Sequence, residues 1–289
     1  MEAVETNRMA APVGQKKKIS FFRKSFALQI GLIIIAFVLI FAFFPGWIAH
    51  YDPIAQDLNQ VLLPPSQAHW FGTDNFGRDV FSRVVWGTRI NLQIGVIATI
   101  VPFAVGTLIG LLAGFYGGWI DSVLMRILDI FMAIPFLVLV IAIVAILGPG
   151  INNMYMAIWL VSWKEYARLI RGEVMVAKNA EYVQAAKVVG FKDSRIFFIH
   201  ILPNVVSSAI VYGASDIVLC MLQGASLGFL GLGVQPPAPE WGTIIADGRQ
   251  FISQAWWLCT FPGLALIIAG SGFSLFGDGL SDLLRTKGR

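Results

Sequence analysis

The sequence predicts an all-α membrane protein built on six transmembrane helices. Three observations carry that reading. Of 289 residues, 57% are hydrophobic and only 13% charged, whereas soluble domains are about one quarter charged. Six apolar runs approach the roughly 20 residues that a helix needs to cross a bilayer. The basic residues fall mostly on one side of those runs, the asymmetry that orients helices in a membrane.

Residues 1–25 form a tail carrying Lys16, Lys17, Lys18, Arg23 and Lys24. Run 26–44 is too long for a signal-peptide core and lacks a small-x-small cleavage site, so it reads as a retained anchor. Residues 45–90 make an external segment with an interfacial helix. Thr73 or Asp74 is expected to cap that helix, with Val80, Phe81, Val84 and Val85 near one face. Arg78, Asp79, Ser82 and Arg83 occupy much of the other, a pattern suited to the membrane surface.

A membrane domain then spans 91–280. Its five runs lie near 91–113, 126–147, 154–170, 205–230 and 256–277, and 281–289 form a second tail. The run at 154–170 is the weakest, because Lys164 and Glu165 crowd its second half. With the amino terminus inside, six crossings place residues 171–204 and the carboxyl terminus inside as well. Arg78, Arg83, Arg89 and Arg249 then lie outside, and the rest of the 21 Lys and Arg lie inside.

Glycines at 106, 110, 114 and 118 are four apart, which makes a smooth helix face for close approach of a neighbour. Gly224 and Gly228 repeat the device. Three prolines in QPPAPEWG stiffen the connection before the last run, and Trp241 is expected at headgroup depth. Cys220 and Cys259 read as small core hydrophobes, since their number and spacing suit neither a disulfide framework nor a zinc site.

Asp216 falls inside the 205–230 run, where an acid is costly and faces a cavity or a partner. Two readings stand: a wall of the translocation pathway, or a structural hydrogen bond near Gly213 and Ser215. Asp129 is expected to pair locally with Arg126. GASLG at 224–228 fits the G-x-S-x-G pattern, but no histidine lies in any run to serve Ser226 as a base. No G-x-x-x-x-G-K-[ST] phosphate loop is present, so ATP hydrolysis is not expected of this chain. Nor is a bound cofactor, a metal or nucleic acid.

The segment 172–204 is charged and polar between apolar runs. Residues 172–189 read as one helix ended by Gly190 in a left-handed conformation. Asp193 or Ser194 is expected to cap a second helix near Arg195. Pro203 suits the first turn of the next run. The product is a helix–turn–helix knuckle, on which Ala185 and Ala186 leave room for another protein's backbone.

QAAKVVGFKDSRIFFIHILP resembles the cytoplasmic signature of permease subunits from ATP-binding cassette importers, E-A-A, three residues, G, nine residues, I-x-L-P. Ala185, Ala186, Gly190, Leu202 and Pro203 match, whereas Gln184 replaces the glutamate and His200 the isoleucine. HWFGTDNFGRDVFSRVVWGTR, LGFLGLGVQPPAPEWGTII and FGDGLSDLL are similar to stretches of the dipeptide, oligopeptide and nickel branch, although Arg285 and Thr286 replace the usual Asp-Pro after the last.

The resemblance implies an ABC importer type I permease fold whose coupling helix sits in a groove of an ATPase. Glu181, Gln184, Ala185, Ala186, Gly190, Lys192, Leu202 and Pro203 would make that contact. It also implies two ATPase subunits carrying ATP and magnesium, a second related permease and an external substrate-binding protein, in a bacterial inner membrane. Di- or oligopeptides are the expected cargo, with nickel or another small molecule as the alternative. A secondary transporter or channel is the competing class; it would need ion-coupling residues, and Asp216 is its one mid-run candidate.

Overall fold

The computed structural model describes residues 26–285, and all regular structure among them is helical. In chain order the helices are α1 (Phe26–Phe43), α2 (Pro45–Ile48), α3 (Val80–Tyr116), α4 (Gly118–Met132), α5 (Phe136–Leu147), α6 (Ile151–Ala177), α7 (Glu181–Val188), α8 (Asp193–Arg195), α9 (Leu202–Phe229), α10 (Trp241–Gly248) and α11 (Trp257–Arg285). The amino-terminal basic cluster and the final residues of the second tail lie outside the described residues.

By length and composition α1, α3, α9 with its upstream turn, and α11 can each cross a membrane, and α4 with α5 makes a fifth crossing if the bent pair counts as one. The expected six spans are therefore not six uniform rods. The run at 126–147 is broken by 85°, because Pro135 has no amide to donate and excludes helical geometry at the residue before it. Lys164 Nζ donates to the Phe131 carbonyl at 3.0 Å, giving the frayed end of α4 a cationic cap. The lysine that weakened the 154–170 run thus has a partner inside the bundle.

The external helix expected from Thr73 or Asp74 is not a separate surface element. It is the first part of α3, which starts at Val80 after an Asp79 cap on the Ser82 amide. At about 1.5 Å per residue, 37 residues outrun a hydrocarbon core of roughly 30 Å, so α3 projects beyond it. Thr73 and Asp74 order the preceding loop instead, Thr73 Oγ1 donating to the Gln60 carbonyl.

Helix α6 is the spine of the bundle and runs along α3. The glycine face anticipated on α3 is where they meet: a Cβ at Gly110 would stand 2.5 Å from the Ala167 carbonyl oxygen, and one at Gly114 2.8 Å from Val174 Cβ. Gly106 likewise abuts Trp163, while Gly118 opens α4 with nothing near it. In α9, Gly224 receives Ile94 of α3, and Gly228 receives the Glu240 carboxylate. Cys220 is buried and Cys259 half-buried, neither in a disulfide.

Trp241 is not at the headgroups. It is 1% exposed and its indole donates to the Val84 carbonyl at 2.9 Å. Gly242 presses on the Ala225 backbone and Gly87 on the Trp241 ring, so small residues let α10 sink back into the bundle. Glu240 caps α10 by accepting from the amides of Gly242 and Thr243.

Candidate functional site: the α7 knuckle and the buried polar joints

Helix α6 stops at Ala177, where the sequence pattern continues. Lys178 Nζ reaches the Gly114 carbonyl at 2.9 Å and ties this end to α3. The chain turns through Lys178–Ala180, and Gln184 Nε2 donates back to the Lys178 carbonyl. The single helix expected over 172–189 is thus two, with α7 set off as a separate short element.

Helix α7 is amphipathic in a strict sense. Val183 and Ala186 are buried in a cluster with Ile196, Phe197 and Ile201, each large aliphatic contributing about 1.5–3 kcal/mol. Glu181, Gln184, Ala185, Lys187, Val188 and Val189 face outward, Val188 being 88% exposed. Of the two alanines expected to leave room for a partner backbone, Ala185 alone is outward. Gly190 has φ +85°, with its amide on Lys187 and that of Phe191 on Ala186, a Schellman ending that needs glycine.

Beyond the turn, α8 begins at Asp193 without a side-chain cap, so neither Asp193 nor Ser194 plays that part. Arg195 lies over the Phe191 ring at 4.3 Å, and the His200 ring stacks with it at 5.8 Å. Residues 196–201 form a π turn leading into α9. Pro203 explains it: lacking an amide, it leaves the Ile199 carbonyl without its ordinary partner, and the Leu202 amide reaches Phe197 instead. Lys192 and Pro203 are exposed and Leu202 half-buried.

Asp216 lies in the middle of α9 and is 5% exposed. Tyr166 of α6 donates to its Oδ2 at 2.8 Å, and the same hydroxyl lies beside Gly213. Tyr212 packs edge-on against Tyr166 and also lines a groove of about 520 Å³ with Ser208, Ser215, Ser281 and Glu173. The acid is thus one layer behind a polar groove. Asp129 pairs with Arg168 at 3.2 Å, not with Arg126.

A third joint departs from the sequence expectation. Arg78, Asp79, Ser82 and Arg83, expected to face water, are all buried, Arg83 to 1% exposure. Arg78 Nε donates to Asp74 at 2.6 Å, while its Nη2 lies 3.7 Å from Asp247 in α10. Arg83 reaches the Pro53 carbonyl at 3.2 Å. His69 bridges Asp79 and Gln60. The signal was there in the alternation of signs within TDNFGRDVFSR: charges that can neutralise one another can be buried together.

The structure is a helical membrane bundle carrying a short amphipathic helix on one exposed turn. The chain belongs to the family described as binding-protein-dependent transport system inner membrane component, whose model matches residues 106–288. Residues 19–65 match the N-terminal transmembrane domain of oligopeptide transport permease C. The probable D,D-dipeptide transport system permease DdpC of Escherichia coli K12 is 45% identical over 88% of this chain and 86% of its own. The dipeptide transport system permease DppC of the same organism is 40% identical over 99% and 98%. The glutathione transport system permease GsiD of Pectobacterium atrosepticum is 41% identical over 92% and 89%. Among solved structures, an inward-facing MetNI methionine ABC transporter matches with TM-score 0.57 and 17% identity, over 72% of this chain and 97% of that one, which supports the fold. The chain is accordingly a multi-pass inner membrane permease component.

Proposed function

We propose that this chain forms half of the translocation pathway of an ATP-driven importer of di- or oligopeptides. Separate ATPase subunits bind the knuckle at 181–204, a second related permease completes the pathway, and a binding protein delivers substrate on the side of residues 45–79. Both termini and α7 face the cytoplasm. The peptide cargo rests on the relatives, dipeptide permeases among them.

The single observation that supports the coupling role is the outward face of α7. An aliphatic side chain as exposed as Val188, beside exposed Val189 and a glycine with nothing within 4 Å, is a surface made to be covered. ATP-driven closure of the ATPases would draw the knuckle inward, and because Val183 and Ile196 lock it to α6 and α9, those spans would follow. Asp216 and the groove in front of it are the proposed pathway wall.

The test is to purify the tagged chain from its native membranes, alone and as Gly190→Trp. Recovery of ATPases with the wild type and their loss in the variant supports the reading. A chain that purifies alone and transports in vesicles without ATP sinks it.

A further inference from the structure

A cavity of about 360 Å³ lies where α1, the first turns of α3, α10 and the first turns of α11 converge. Phe37 and Val38 of α1, Val84 and Thr88 of α3, Trp241 of α10 and Ala265 of α11 contribute to its wall. The polar atoms there are already used. Thr88 Oγ1 donates to the Val84 carbonyl, and the Trp241 indole donates to the same carbonyl. A buried water needs two to four polar partners, and this wall offers at most the Thr88 hydroxyl as an acceptor.

The position of the cavity says what medium it meets. Phe37, Leu264 and Ile268 line it and are 49%, 46% and 45% exposed, on helices that otherwise carry apolar surface outward. The cavity sits at the ends of α1 and α11 nearest residues 44–79. Trp70 packs on Phe81 and Trp256 on Phe261, two rings of the cavity wall. Both tryptophans are exposed, as is Trp47 just beyond α1. Exposed tryptophans at helix ends mark the depth of the lipid headgroups, so the cavity lies just below them.

We propose that this cavity holds one acyl chain of a membrane phospholipid, in the leaflet on the side of residues 44–79. A transmembrane helix about 10 Å across is too thick to enter it, whereas an unbranched hydrocarbon chain fits an apolar slot open to the bilayer. The chain would pack against Trp241 and the Phe71–Phe261 stack, whose rings are 3.8 Å apart. It would thereby brace α10 and the charged joint beneath residues 52–79 from the membrane side.

The test uses the full-length protein, with whatever subunits purify with it, in vesicles of phosphatidylethanolamine and phosphatidylglycerol. The vesicles are doped with phosphatidylethanolamine bearing a diazirine on one acyl chain. After photolysis, labelled peptides are mapped. The expected result is label on Val38, Val84 and Ala265, the inner wall, in addition to exposed Ile33 and Ile146. In Ala265→Trp the inner-wall label falls roughly tenfold, the effect of excluding about two methylenes from an apolar site, while label at Ile33 is unchanged. Ile268→Trp closes the mouth from the membrane side, gives the same loss, and replaces the first variant should that one misfold. Inner-wall label indifferent to both substitutions, or absence of inner-wall label while Ile33 is labelled, overturns the proposal.

Discussion

Tyr166 of α6 and Asp216 of α9 lie 50 residues apart and meet in the bundle interior, the phenol donating to the carboxylate at 2.8 Å. That contact joins the helix leading into the knuckle to the helix leading out of it. Removing the donor leaves a buried carboxylate short of a partner. Tyr166→Phe should lower stability by about 1–3 kcal/mol, read as a fall in the thermal midpoint of the purified complex. Asp216→Asn keeps an acceptor for the phenol and should cost less. Equal losses in both variants would show that the hydrogen bond is not what the pair contributes.

The α3–α6 contact makes a second prediction. Gly110→Val adds three carbons where a single Cβ already stands 2.5 Å from the Ala167 carbonyl oxygen. Overpacking of this kind costs about 1–3 kcal/mol or more, because two of the three crowding atoms, the Ala167 carbonyl oxygen and the Arg171 amide nitrogen, are backbone and cannot swing aside. Gly118→Ala meets no atoms and pays only for φ +56°. The yield of folded protein after detergent extraction should be much lower for the first variant than for the second.

On the knuckle, Val188→Asp replaces an exposed side chain that touches little of this chain. Folding stability should change by less than about 0.5 kcal/mol, while co-purification of ATPases should fall at least severalfold. Val183→Asp, on the buried side of α7, should instead reduce stability itself. A Val188→Asp protein that retains its ATPases would place the contact elsewhere on the segment.

Glu240 yields a pH dependence with a definite sign. Burial pushes its carboxyl above the ordinary range, against the amides of Gly242 and Thr243, which favour the ionised form. A group whose folded pKa is raised binds its proton more tightly when folded, so its contribution is full below the unfolded pKa and is lost as pH rises through the folded one. Glu240→Gln keeps one oxygen, enough for one of the two capping amides, but has no charge to desolvate. Thermal midpoints measured across pH should therefore decline less steeply above the carboxylate range in Glu240→Gln than in wild type.

Breaking the charged joint should be costly on one side only. Asp74→Asn removes the carboxylate from between Arg78 and Arg83, which are 3% and 1% exposed, and leaves buried guanidinium charge less compensated. A loss of about 3–5 kcal/mol is expected, with protease cleavage within 52–79 as the local readout. Replacing exposed Asp129, whose partner Arg168 is also exposed, should cost no more than about 1 kcal/mol.

Features that depend on spacing over a turn or two were legible in the sequence. The apolar run at 26–44 became α1, the Gly106–Gly110–Gly114 face became the α6 contact, and Gly190 took the left-handed turn assigned to it, each because glycine geometry or hydrophobic length is a local property. Features that depend on what lies across the bundle were not. Arg78 and Arg83 read as a solvated face because Asp247 and the Pro53 carbonyl, which meet them in the fold, are far away in sequence. Trp241 read as an interfacial anchor because nothing near it announces the Val84 carbonyl. The 85° break after α4 was local and was missed, although Pro135 marks it; hydropathy alone masked the proline. Composition and short-range pattern thus determined that the chain is a helical membrane protein with a polar knuckle between two spans. Only tertiary packing decided which charges are buried, since desolvation is tolerable just where an opposite charge or a carbonyl from a distant helix is already in place.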